Sequence, residues 1–448
     1  MISSGQSLCC DKHWLWIQQK MVPEKRAVMK TNAGSIVAGF FVVALMGLSG
    51  CGEPVDKAAS ADGSNVAVVA DFQKQLRTQL IMAKTGDVIE IPKGRFEITR
   101  GLSLKVDGVT IRGAGMAESV LTFKQQTQGA EGLIVTADDI VLEGFAVEDT
   151  KGDAIKINEC RNLVIREVRV EWTAGPDEAN GAYGLYPVQC ENVLIDGAVA
   201  IGASDAGIYV GQSRNVVVKN SRAAYNVAGI EIENTIDADV FDNVAENNTG
   251  GILVFNLPGL SQRGERTRVF RNRIVSNNTD NFAPKGSIVA GVPVGSGVLI
   301  NANDHVHIFD NEFEHNDTAN VIVSSYFSTA DGAEIKNKTF DPYAEAIYIH
   351  DNSYVGGGES PDTLELKTLK LAMYGLDGRF PDVIWDGYIN PAVADEGKLP
   401  ATLAICLQDA QSKMLNVDAP NGYNNPNEDM ANHRCELAPL KPVELPFG

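Results

Sequence analysis

The stretch Ala203–Phe255, ASDAGIYVGQSRNVVVKNSRAAYNVAGIEIENTIDADVFDNVAENNTGGILVF, carries one pattern three times: Gly207-Ile208-Tyr209-Val210, Gly229-Ile230-Glu231-Ile232 and Gly251-Ile252-Leu253-Val254, with starts 22 residues apart. Apolar side chains alternate with others in each copy, the two-residue period of a strand with one buried face. Outward from this stretch the pattern returns at Gly132-Leu133-Ile134-Val135 and Gly297-Val298-Leu299-Ile300, with variants beginning at Ala154, Gly184, Asn320 and Ala346. The successive starts are 22, 30, 23, 22, 22, 46, 23 and 26 residues apart. A period near 22 is too short for helix-pair repeats, which need roughly 33 residues or more, and suits three short strands with turns. No unit can bury its own apolar side chains, so the units must stack, about 4.8 Å per coil. The fold expected is all-β: a right-handed, single-stranded parallel β-helix.

A second pattern lies inside each unit: Val240-Phe241-Asp242-Asn243, Val269-Phe270-Arg271-Asn272 and Ile308-Phe309-Asp310-Asn311, with further asparagines at 248, 277 and 316. Stacking places these Asn side chains, and Asn226, in turns where each amide can bond to its counterpart one coil on and tolerate a left-handed backbone. Phe241, Phe270 and Phe309 are expected to stack likewise.

The 448 residues divide into four parts. In residues 1–50, Lys25, Arg26 and Lys30 precede an apolar run from Ile36 to Leu48, shorter than the roughly 20 residues of a comfortable membrane span. It closes on Leu48-Ser49-Gly50-Cys51, which resembles a bacterial lipoprotein signal with Cys51 lipidated. Gly52 after the cysteine favours, by the same resemblance, the outer membrane of a Gram-negative cell. Translation starting at Met21 or Met29 would remove the leader that precedes this signal. Residues 51–70 read as a tether, 71–355 as the β-helix with a helix at Asp71–Lys84, and 356–448 as a C-terminal cap and extension with a helix near Leu364–Tyr374.

The helix and the opening strands GDVIEIPKGRFEI and VDGVTIRGAG resemble the capping helix and first coils of the pectin-lyase-like superfamily. The motifs GAYGLYPVQCENVLI, ASDAGIYVGQSRNVVV, VAGIEIENT, TGGILVFNLPGL and NFAPKGSIVAGVP resemble a family of exported bacterial parallel β-helix repeat proteins with carbohydrate-binding and sugar-hydrolase type repeats. That resemblance spans roughly 85–440. It implies export or lipid anchoring, a second exported protein as neighbour, and no particular activity.

Lys plus Arg is 38 against Asp plus Glu 58, a formal charge of −20 that opposes binding to nucleic acid. Without residues 1–50 the balance is 33 against 56, or −23. Polyuronates are therefore repelled unless a metal bridges, whereas a neutral glycan is not.

Three long insertions, 172–183, 256–268 and 278–296, border the Gly-Ile-x-Val strands, so that sheet is expected to floor a groove about 19 Å long between the Gly184 and Gly297 coils. With Ile208 and Val210 inward, the residues expected to face out are Lys156, Tyr186, Tyr209, Glu231, Glu233, Leu253, Phe255, Leu299 and Asn301. Lys156, Tyr186, Tyr209, Phe255 and Asn301 are the expected contacts for an oligosaccharide or polysaccharide. The same ladder could instead merely stabilise an exposed sheet. Glu231 and Glu233, about 6.6 Å apart on one face, could bind Ca²⁺, divide acid and base roles, or be a solvated acidic strand. A Ca²⁺-dependent polysaccharide lyase would use Glu231, Glu233 and Tyr209, with Lys156, Lys285, Arg263 and Arg266 as the available cations. Asp341-Pro342-Tyr343 lacks the histidine of the alginate epimerase signature. Three functions follow as expectations: a monomeric, lipid-anchored glycan binder, the lyase or a related enzyme, and a scaffold for a co-exported protein.

Seven cysteines without CxxC spacing exclude a zinc ribbon or thioredoxin-like motif. Cys160 and Cys190 fall in adjacent coils, as thiols or as a disulfide. Cys406 and Cys435 are expected to pair in the tail. His305 and His307 read as surface residues.

Overall fold

In the computed structural model, residues 64–329, 339–409 and 411–447 are described, with the side chains of 64–70 and Thr329 excepted. The leader, the signal and the lipidation position Cys51 lie outside them. Among the described residues, three parallel sheets hold eleven, ten and eleven strands, and the chain visits the first, second and third sheet in turn on each coil but the last, which has no strand in the second. This is a right-handed parallel β-helix. Each strand pairs with its equivalent one coil on, as Ile208 does with Ile230 and Ile230 with Ile252. The alternation in sequence becomes an interior of stacked Ile, Val and Leu, among them Ile208, Ile230, Ile252 and Val298, all without solvent exposure.

The N-terminal helix, Ser64–Met82, begins seven residues before the expected start and so takes up part of the tether. Phe72, Leu76 and Leu80 recur every fourth residue and are buried against the first coil. Each such side chain removed from water stabilises the cap by about 1.5–3 kcal/mol, and the helix covers a core end that would otherwise be open.

Two asparagine ladders run along the turns. Asn226, Asn248, Asn277 and Asn316 each donate from Nδ2 to the next side chain in the series, at 3.0 to 3.1 Å, ending on Asn320. A parallel series runs through Asn243, Asn272, Asn311 and Asn352. The ladder residues themselves are not left-handed. The residue before each is: Tyr225, Asp242, Asn247, Arg271, Ser276, Asp310 and His315 have φ between 50° and 59°. This preceding residue turns the chain, and the turn directs the following amide inward along the stack, where its hydrogen bonds are sheltered from water. Phe241, Phe270 and Phe309 stack at 4.8 Å, and His350 extends the series at 5.1 Å.

The sheets do not stop at 355. Strands Val383–Trp385 and Met414–Asn416 extend the third sheet, and Ile405–Leu407 extends the first. At three residues each they are too short to show a period in sequence, so the boundary drawn at 355 divides a continuous stack. The helix Leu364–Tyr374 is capped by Thr363, whose side chain accepts from the Leu366 amide. Disulfides join Cys160 to Cys190 and Cys406 to Cys435.

Candidate functional site

The third sheet positions the site. Lys156 pairs with Tyr186, Tyr209 with Glu231 and Glu231 with Leu253, forming one outward column. A second column runs Gly211, Glu233, Phe255, Asn301. The register is therefore the one that alternation implies, but the exposure is not. Leu253, Phe255, Leu299 and Asn301 are at most 2% exposed. The three apolar side chains belong to a separate core on the outside of the sheet, with Leu257, Val289 and Val292 from the two insertions and Phe380 from the C-terminal segment. The inserts lie down on the sheet instead of walling a groove, because that is how this apolar half of the column escapes water. Phe255 and Asn301 are thus withdrawn from any ligand, and the 19 Å groove does not exist in full.

What remains is the polar half, and it is only partly open: Tyr209, expected to face a ligand, is 3% exposed and packs into the outer core, and Glu231 is 2% exposed, because the surrounding tyrosines close over them. The insertion 172–183 ends at Tyr183, which stacks on Tyr186 at 4.2 Å and meets Tyr209 at 4.8 Å, while Tyr186 meets Tyr209 edge-on at 4.9 Å. Tyr209 owes its orientation to Gly211. Its ring lies along the strand over that glycine, where a Cβ would stand 2.0 Å from the hydroxyl. The hydroxyl then reaches the next coil and donates to Glu233 Oε1 at 2.6 Å. Tyr183 and Tyr186 are half-buried, as are Asp153 and Lys156, and these four rim the patch. Lys156 Nζ stands 4.7 Å from the Tyr186 ring centroid and 3.6 Å from Asp153 Oδ2.

Behind the tyrosines are three carboxyls. Glu231 is 2% exposed and its Oε2 has no hydrogen-bond partner, and Asp205 is 9% exposed with Oδ1 unpartnered. Burial pushes the Asp205 carboxyl up from 3.8 to about 7, helped by the charge of Glu233 and opposed by a hydrogen bond from Tyr183. Burial, then Asp205 and Glu233, raise Glu231 well above the carboxylate range. Burial also raises Glu233, against the hydrogen bond from Tyr209. Tyr186 is pushed up to about 12, chiefly by burial and then by Asp153. Asp205, titrating at about 7, can hold and donate a proton near neutral pH, and burial favours the protonated form of the other two, which is what acid catalysis requires of a carboxyl.

Asp153, Tyr183 and Asp205 were not singled out from the sequence. The one available signal is an acid immediately before the strand start, in Asp153-Ala154 and Asp205-Ala206, on coils that flank Tyr183. The cations expected of a lyase do not assemble. Arg263 pairs with Glu265 and Arg266 with Asp237, both at 2.6 Å at the first sheet, and Lys285 is exposed in the 278–296 insertion. Among the described residues, no group of three or more His, Cys, Asp or Glu side chains is arranged to hold a metal ion. The reading of His307 as a surface residue is corrected: it is 4% exposed and packs edge-on against Tyr348 at 5.4 Å. Burial, then His350, lowers it from 6.5 to about 4 and leaves it neutral. A separate polar cleft of about 510 Å³ lies over the turns beyond these strands, lined by Arg161, Arg214, Gln189, Gln212 and the Cys160–Cys190 disulfide.

Residues 100–279 match the family model described as a right-handed β-helix region. No curated protein matches the chain in sequence. Among solved structures, the A-module of the mannuronan C-5 epimerase AlgE6 of Azotobacter vinelandii is similar at 16% identity, covering 70% of this chain and 85% of that one, with a TM-score of 0.43. An alginate lyase from Paenibacillus is similar at 16% identity, covering 63% and 96%, with a TM-score of 0.38. DFA-IIIase from Arthrobacter chlorophenolicus is similar at 11% identity, covering 74% and 90%, with a TM-score of 0.40.

Proposed function

We propose that this protein is exported, anchored by lipid at Cys51, and binds an extended glycan on the outer face of its third sheet from Lys156 to Glu233. The observation that carries this reading is the cluster of Tyr183, Tyr186 and Tyr209, mutually packed on the outside of the solenoid and rimmed by hydrogen-bonding groups. Aromatic faces cover the C–H patches of sugar rings while polar neighbours bond their hydroxyls. The half-buried part of the column, Lys156 and Tyr186 with Tyr183 beside them, spans adjacent coils about 4.8 Å apart, room for one or two sugar rings, while Tyr209 and Glu231 are only 3% and 2% exposed. The chain's net charge of −20 disfavours a polyanion. Binding to immobilised glycans, weakened about tenfold or more by Tyr186→Ala, tests the proposal, and binding unaffected by that change would defeat it.

A second reading, glycan processing, is favoured by the raised carboxyls of Asp205 and Glu231, which could act as proton donors. Release of shortened sugars, abolished in both Asp205→Asn and Glu231→Gln, would establish it. Retention of a co-exported partner protein after Tyr186→Ala would favour a scaffold instead.

A further inference from the structure

Resting on that assignment of the glycan face, we infer that its ligand carries free, protonated amino groups. Glu231 Oε2 and Asp205 Oδ1 are buried and without hydrogen-bond partners. Both stand against the same aromatic patch: Glu231 pairs with Tyr209 one coil on, and Asp205 precedes Ala206, the partner of Tyr183. Burial first, and after it nearby carboxyl charges that include Asp205 and Glu231 at Tyr183 and Glu233 and Glu231 at Tyr209, raises both hydroxyls. A buried acid left unpaired costs folding free energy, and the charges that act on Glu231 are those of Asp205 and Glu233, not of a lysine or arginine. An ammonium group supplies what is missing: one positive charge and three hydrogen-bond donors, with no demand for a fixed polyhedron of oxygens. That distinction matters because no metal-holding group of side chains occurs among the described residues.

The tyrosines point the same way. Ammonium groups bind over aromatic faces when carboxylates stand nearby, and Lys156 Nζ already occupies one such position, 4.7 Å from the centroid of Tyr186 and 3.6 Å from Asp153. A formal charge of −20 concentrates cations around the chain and repels uronates. The substrate class is therefore a glycan of 2-amino sugars with at least part of its amines unacylated.

The test is titration calorimetry of the full chain with β-linked glucosamine oligomers and with their N-acetylated counterparts of equal length, at about pH 7, where part of the amine remains charged and the Asp205 carboxyl, titrating at about 7, is partly ionised. The free amine should bind about tenfold more tightly or better, and the preference should shrink in Glu231→Gln and in Asp205→Asn, each checked for an unchanged far-ultraviolet spectrum. Equal binding, or tighter binding of the acetylated oligomer, overturns the inference while leaving the glycan face standing. Binding of neither overturns both. A folded Asp205→Asn and a folded Glu231→Gln that both keep the full preference also overturn it.

Discussion

Asp205→Asn should stabilise the protein at alkaline pH and leave it unchanged at acid pH. In the folded state the Asp205 carboxyl titrates at about 7 against 3.8 for the free group, chiefly because it is buried. The folded protein therefore holds the proton more tightly than the unfolded chain. Below about pH 3 both states are protonated and the group is neutral towards folding. Between about pH 4 and pH 7 the unfolded chain ionises first, so stability falls as pH rises, and above pH 7 the loss is complete. Three units at about 1.4 kcal/mol each make this loss about 4 kcal/mol. An asparagine resembles the protonated acid in shape and cannot ionise. It also keeps an oxygen to accept from Tyr183 and relieves Glu231 of a repelling neighbour. Urea unfolding followed by circular dichroism at about pH 2.5 and pH 8 should thus give equal midpoints at the lower pH and a higher midpoint for the variant at the upper, by up to ~4 kcal/mol. A variant less stable than the parent at pH 8, or a difference that does not change with pH, would refute the account of the buried carboxyls.

Other outcomes follow from the same structure. Gly211→Ala places a Cβ where the Tyr209 hydroxyl lies, so the bond to Glu233 should break at a cost of about 1.5–3 kcal/mol. Thermal melting checks this, and Tyr209→Phe, which deletes the hydroxyl without the clash, should lose a similar amount. Asn277→Ala interrupts a ladder in which its Oδ1 accepts from both the backbone and the side chain of Asn248, at 3.1 and 3.0 Å. The orphaned donors should lower stability by about 2–4 kcal/mol, more than the same change at exposed Asn424. The Cys406–Cys435 bond spans 29 residues, and its reduction should release the tail and cost roughly 3–4 kcal/mol. Limited proteolysis with and without reductant reads this as new cleavage beyond residue 400. Tyr186→Ala should weaken glycan binding far more than Phe327→Ala, because Phe327, although the more exposed of the two, lies outside the patch.

The repeat made the stack legible before any coordinates. In a solenoid each residue's main partner is its equivalent one coil away, so a period near 22 carries both the fold and the register. That is why the columns Lys156, Tyr186, Tyr209, Glu231 and Gly211, Glu233, Phe255, the phenylalanine ladder and the asparagine ladders could all be drawn from spacing. The helix at Leu364–Tyr374 was legible for a different reason, its own apolar period. The left-handed position was misplaced by one residue because the Asn is the visible repeat, whereas the turning residue varies as Tyr225, Asp242, Ser276 or His315 and leaves no mark.

Which half of the outer face stays open was beyond reach of the repeat. Leu253, Phe255 and Leu299 alternate just as Tyr209 and Glu231 do, and only the docking of residues 257–292 and 380 on them decides that they are core. Such contacts join irregular segments far apart in sequence, so no period encodes them. The same holds for the buried carboxyls: Glu231 is one acidic residue on a strand until Asp205, Glu233 and the tyrosines close around it. Strand alternation alone determined that Glu231 faces away from the solenoid core. Whether it meets water or a dry pocket shared with other carboxyls depended on packing, because desolvation is a property of everything around a group and not of its place in a chain.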